Sequence, residues 1–194
     1  ACYDFNTFYE IQKITKANQL ALHLDGARVF NAIVHKKEQA ADYGKVFDSV
    51  SVCLSKGLGA PVGSVLVGSI PFIKKARRWR KVFGGGMRQA GYLAAAGIYA
   101  IENHVERLAE DHLHAIALKE ALEAKSFVDH VLPVETNIVI AGIKGKYTAP
   151  ELAALLKTKG ILAIAMTPAL IRFVLHLDIS EAQLSETIDI INQL

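Results

Sequence analysis

Residues 46–54 (VFDSVSVCL), where Val50, Val52 and Leu54 alternate with Ser49, Ser51 and Cys53, and the apolar run at 62–69 (VGSVLVGS) stand on either side of Ser55-Lys56-Gly57-Leu58-Gly59. The alternation in the first run predicts a strand, and the short loop that follows predicts the second run to be its neighbour in one sheet. A shorter apolar run at 20–24 (LALHL) ends at Asp25-Gly26 and is followed by ARVFNAIVHK, which has helical spacing. Strand, turn and helix in that order, after a helical pattern over residues 8–18 closed by Asn18, describe an α/β chain.

Helical periodicity resumes at Pro71, where Phe72, Ala76, Trp79 and Phe83 share one face, and Gly84 to Gly86 end it. A long helical stretch follows to about residue 124, read as two helices or one bent helix, in which Ala90, Ala94 and Gly97 form a stripe that lets another helix approach. Beyond Lys125 the pattern turns to short strands (FVDHVL, NIVIAG, ILAIAM, IRFVLHL), a helix from Ala149 to about Lys159 and a final helix with Ser180 as N-cap. The expected organisation is residues 1–103 as part of a large α/β domain and 104–194 as a small α+β domain.

With 52% hydrophobic and 21% charged residues the chain can bury a core, and 22 basic against 19 acidic side chains leave only +3. That balance demands neither nucleic acid nor a membrane as partner. Cys2 and Cys53 lack metal-ligand spacing, and no run reaches the roughly 18–20 apolar residues of a membrane span, so a reducing, cytoplasmic setting is expected. The chain opens at Ala1 in sequence that reads as mid-domain, and is expected to be part of a longer polypeptide.

Two side chains carry a chemical suggestion. Lys56 follows an apolar strand in a turn whose glycines admit close backbone approach, and desolvation there would lower the ammonium's hold on its proton and make it a nucleophile toward carbonyls. Asp25 stands at the carboxyl end of a strand, where open α/β sheets bind ligands, and a carboxylate beside a pyridine nitrogen keeps that nitrogen protonated. Together they suggest pyridoxal 5'-phosphate (PLP). Taken singly, each has an ordinary reading: Lys56 as a solvated strand-end charge, Asp25 as a cap of the helix that follows or a partner of Arg28.

His23 to Asn31 (HLDGARVFN), Leu54 to Gly68 (LSKGLGAPVGSVLVG), Arg78 to Gln89 (RWRKVFGGGMRQ) and Ile171 to Ser180 (IRFVLHLDIS) resemble, in order, the low-specificity threonine aldolases, within the aromatic amino acid beta-eliminating lyase/threonine aldolase group of fold type I PLP enzymes. The resemblance implies an α/β, PLP-dependent transferase-like fold, here a partial large domain followed by the small one. It implies retro-aldol cleavage of the Cα–Cβ bond of threonine or allo-threonine to glycine and an aldehyde. Lys56 would carry PLP as a Schiff base and Asp25 would pair with its ring nitrogen. Arg28 would lie by the cofactor and the substrate carboxylate, and Arg172 would bind that carboxylate. Residues matching Lys81 and Arg88 reach a neighbouring subunit's site, near the substrate and the cofactor phosphate, which implies a homo-oligomer, dimer or tetramer, with shared sites. The family's phosphate cradle and ring-stacking histidine match nothing in these residues, so the chain alone is expected to bind PLP weakly.

Other readings remain open at this point. Asp25 and Lys56 would serve a β-eliminating lyase or an aminotransferase as well. The cations Lys74, Lys75, Arg77, Arg78, Arg80, Lys81 and Arg88, with no acid from Ile70 to Gln89, could face a polyanion or simply be solvated, with Trp79 packed inward. His23 is expected in the core, His176 is not tied to Arg172 by spacing alone, and His112 and His114, two apart on a helix, do not form a metal pair.

Overall fold

A computed structural model describes residues 2–194, which divide into two compact units, 2–107 and 108–194. In the first, α1 (Phe5–Ala17), β1 (His23–Gly26), α2 (Val29–Lys36), α3 (Ala40–Val46), β2 (Ser49–Cys53), β3 (Ser64–Gly68), α4 (Ile70–Val82) and α5 (Gly91–Asn103) follow in order. The sheet runs β1-β2-β3, parallel between β1 and β2 and antiparallel between β2 and β3. Leu24, Val50 and Val52 point to one face and pack with Phe8, Val29, Tyr43, Val46 and Phe47, so α1, α2 and α3 cover it. In-register partners share a face, and the opposite one carries His23 and Asp25 beside Ser49, Ser51 and Cys53.

Several details differ from the sequence reading. Asp25 and Gly26 belong to β1 rather than to a turn, because Asp25 pairs with Ser51 and Gly26 with Val52. A Cβ on Gly26 would sit 2.7 Å from the Ser51 carbonyl oxygen, so only glycine allows this approach. The first part of the apolar run at 46–54 forms the end of α3, a helix too short for its period to stand out. No residue of α4 is buried, and Trp79 stacks on Phe83 at 5.8 Å in the open rather than packing inward. At Gly97 it is the Leu54 side chain, not a helix, that comes close. His23 is exposed and shares a 2.8 Å hydrogen bond with Ser49 Oγ.

The second unit comprises α6 (Leu108–Glu123), β4 (Val128–Val131), β5 (Ile138–Ile143), α7 (Ala149–Thr158), β6 (Ile164–Ala165), β7 (Leu170–Val174) and α8 (Glu181–Asn192). Its antiparallel sheet has the order β4-β5-β7-β6. Leu118 and Leu122 of α6, Leu152 and Leu156 of α7, and Leu184 and Ile191 of α8 pack on Val139, Ala141, Ile171 and Phe173, so the helices of this unit all lie on one face of its sheet. Both α7 and α8 begin with a capping box: Thr148 with Glu151, and Ser180 with Gln183.

Ser180→Ala is expected to lower stability by about 1 kcal/mol, read as a lower urea midpoint at unchanged slope. Hydrogen bonds from the Thr148 backbone and then its side chain hold the Glu151 carboxyl below its ordinary value. Because the folded value is depressed, Glu151's contribution is complete above the unfolded value and is lost as pH falls through the folded one. The penalty of Glu151→Ala should therefore be larger at neutral pH than in strong acid.

Candidate active site

The parallel pairing of β1 and β2 brings their carboxyl ends level, so Asp25 and the segment after Cys53 open on the same edge of the sheet. Asp25 is exposed, and its Oδ1 accepts from the Ala27 backbone N–H at 3.1 Å. It does not cap α2, whose N-cap is Arg28. Arg28 is half-buried one residue before that helix.

Past β2, the Gly59 N–H donates to the Lys56 carbonyl at 2.9 Å, closing a turn over Lys56–Gly59 with Gly59 at φ 69°, a backbone state that favours glycine. Leu54, Leu58 and Ala60 are buried, so the turn's apolar side chains point in and Lys56 points out. The Lys56 ammonium makes no hydrogen bond or ion pair among the described residues. The expected desolvation of its ammonium is therefore not provided by the described residues, among which Lys56 is exposed. Pairs of contacts from α5 hold the turn from beneath: Gly97 receives Leu54, and His104, the C-cap of α5, donates from Nδ1 to the Leu58 carbonyl at 2.7 Å. No sequence signal pointed to His104, which lies 46 residues from its acceptor.

Cys53 is the other group beside Lys56. Burial raises its thiol, but hydrogen bonds with the Ser55 side chain and backbone, one with Ser64 and the charge of Lys56 outweigh burial and hold it below its ordinary value. The Ser55 hydroxyl is 3.6 Å from the sulfur. Neither Cys2 nor Cys53 forms a disulfide.

Lys81 and Arg88 lie in the same unit, both exposed, Lys81 in the last turn of α4 and Arg88 beyond the glycines. Lys81 folds back over Gly86, where an added Cβ would meet its Cδ at 2.7 Å. Arg172 is in the other unit, half-buried in the middle of β7 on the sheet face without helices, with Ile140 and Ile164 as its register partners. Its guanidinium has no hydrogen-bond or ion-pair partner among the described residues. His176 stands 3.4 Å from Asp178. No cluster of His, Cys, Asp and Glu able to hold a metal occurs among the described residues.

This architecture is that of fold type I PLP-dependent enzymes, present in part: it superposes on the threonine aldolase of Leishmania major with a TM-score of 0.81 at 19% identity, covering 98% of this chain and 56% of that one. The profile of the beta-eliminating lyase family matches residues 1–145, and the chain belongs to that family. It is 46% identical over 177 residues to the low specificity L-threonine aldolase of Escherichia coli K12, covering 91% of this chain and 52% of that protein. It is 40% identical over 195 residues to low-specificity L-threonine aldolase 1 of Arabidopsis thaliana, covering 99% and 54%. The chain thus spans about half the length of these curated relatives.

If Ser55 sets the Cys53 thiol, Ser55→Ala removes a lowering contact and should move the pH profile of Cys53 alkylation by iodoacetamide upward, since the thiolate is the reacting form. An unmoved profile would contradict that account.

Proposed function

We propose that this chain is the C-terminal part of a PLP-dependent threonine aldolase, which cleaves threonine or allo-threonine to glycine and an aldehyde. The observation that carries the reading is the 46% identity to a low specificity L-threonine aldolase over 91% of the chain. The names of the relatives favour aldol cleavage over β-elimination or transamination. Residues 1–103 would belong to the PLP-binding large domain and 104–194 to the small domain.

The residues present fit the cofactor at two of its ends. Lys56 offers an amine with no hydrogen-bond or ion-pair partner among the described residues, and Asp25 a carboxylate with only one oxygen engaged, at level ends of adjacent parallel strands. Lys56 would hold the aldehyde carbon and Asp25 a proton on the ring nitrogen, with Arg28 nearby. When bound, PLP supplies a protonated ring that accepts the electron pair released as the Cα–Cβ bond breaks. Arg172 would bind the substrate carboxylate through two parallel charge-assisted hydrogen bonds, and its fork orients the bond to be broken. The Lys56 amine would also be able to hold or pass a proton at its Nζ.

Lys81 would serve the substrate and Arg88 the phosphate of a neighbouring subunit's cofactor, in a homodimer or homotetramer with shared sites. The exposed Trp79, Phe83, Met87 and Tyr92 around them support a subunit interface there. No helix among the described residues is long and apolar enough to cross a membrane, and two cysteines outside any disulfide fit a reducing, cytoplasmic setting.

In the complete protein, borohydride should fix PLP on the peptide containing Lys56, and threonine should yield glycine in amounts equal to acetaldehyde. Lys56→Ala should abolish both, and release of ammonia with a keto acid instead would refute the aldolase reading. Arg172→Lys keeps the charge but loses the fork, and should lower kcat/KM for threonine by about ten- to a hundredfold.

A further inference from the structure

We propose that His104 is a positioning residue for Lys56: its hydrogen bond to the Leu58 carbonyl fixes the turn from which the lysine projects. The inference rests on the reading of Lys56 as the amine that carries the cofactor, and adds to it the group that aims that amine.

Within the turn, the Gly59 N–H uses the Lys56 carbonyl and the Ala60 N–H uses the Leu54 carbonyl, at 2.9 and 3.0 Å. Neither reaches the carbonyl of Leu58. Leu58 is only 3% exposed, and a buried acceptor left without a donor is costly. His104 is that donor, at 2.7 Å. A carbonyl can only accept, so the hydrogen resides on Nδ1 and, in the neutral ring, Nε2 carries the lone pair.

The donor is itself held. The His104 backbone N–H bonds the Ala100 carbonyl at 2.9 Å, and its ring meets Tyr99 edge to face at 5.4 Å. The bond thus ties the Leu58–Gly59 peptide plane to the end of α5. Rotating that plane would take Gly59 from its φ of 69° and break the turn closed on the Lys56 carbonyl. The Lys56 ammonium has no hydrogen bond or ion pair among the described residues, so within them only the turn's backbone fixes the point and direction from which the side chain leaves, and His104 holds that backbone from the α5 side.

The test compares wild type, His104→Ala and His104→Asn in the complete protein, since the Asn carboxamide retains an N–H donor. In His104→Ala, amide hydrogen exchange over residues 54–60 should accelerate, borohydride capture of PLP on Lys56 should slow, and kcat for threonine cleavage should fall about ten- to a hundredfold with KM little changed. His104→Asn should recover most of each loss. Unchanged exchange in the turn, faster exchange with capture and kcat intact, or Asn no better than Ala would each overturn the proposal. If wild type captures no PLP on Lys56, the functional reading fails and this assignment with it, whereas the exchange comparison still decides whether His104 holds the turn. A general loss of stability would quicken exchange across all of residues 2–107, and that pattern also counts against a positioning role.

Discussion

The parallel pairing of β1 with β2 is the constraint from which the candidate site follows. Only parallel neighbours end at the same edge, and the pairing of Asp25 with Ser51 sets the carboxylate level with the approach to the Lys56 turn. Two features hold that register. Gly26 admits the Ser51 carbonyl where any side chain would push the strands apart. Leu24, Val50 and Val52 all face the helical layer, so a slip by one residue would turn them out and His23, Asp25 and Ser51 into the apolar core. Hydrophobic burial on one face thereby positions polar chemistry on the other.

β2 was legible from its clean alternation and β3 from the short loop that leads into its apolar run, and the two pair antiparallel. So was α8, since Ser180 and Gln183 form the box that Ser-x-x-Gln allows. What escaped had a physical reason. Asp25-Gly26 reads as a turn by local propensity, and only the long-range pairing with β2 draws it into a strand. Trp79 and Phe83 fall on one helical face, but periodicity states which residues align and not whether anything in this chain covers them. Lys56 at the end of a strand was visible, and its exposure was not, because desolvation depends on surrounding atoms that a linear pattern does not count. The His104 contact joins a helix end to a turn with no local motif at either end.

Arg172 shows the same tension in the other unit. It sits in mid-strand between Ile140 and Ile164, on a half-buried surface, with its guanidinium unpaired among the described residues. Taking charge out of water without a partner works against folding, and an apolar residue at this register would fit its neighbours better. The Lys56 ammonium likewise has no hydrogen bond or ion pair among the described residues, just past the end of β2, where Cys53 bonds both Ser55 and Ser64. Departures from local consistency concentrate where a protein binds something, because the ligand completes what the chain leaves open. A carboxylate would satisfy the fork of Arg172, and a carbonyl carbon would take the amine of Lys56.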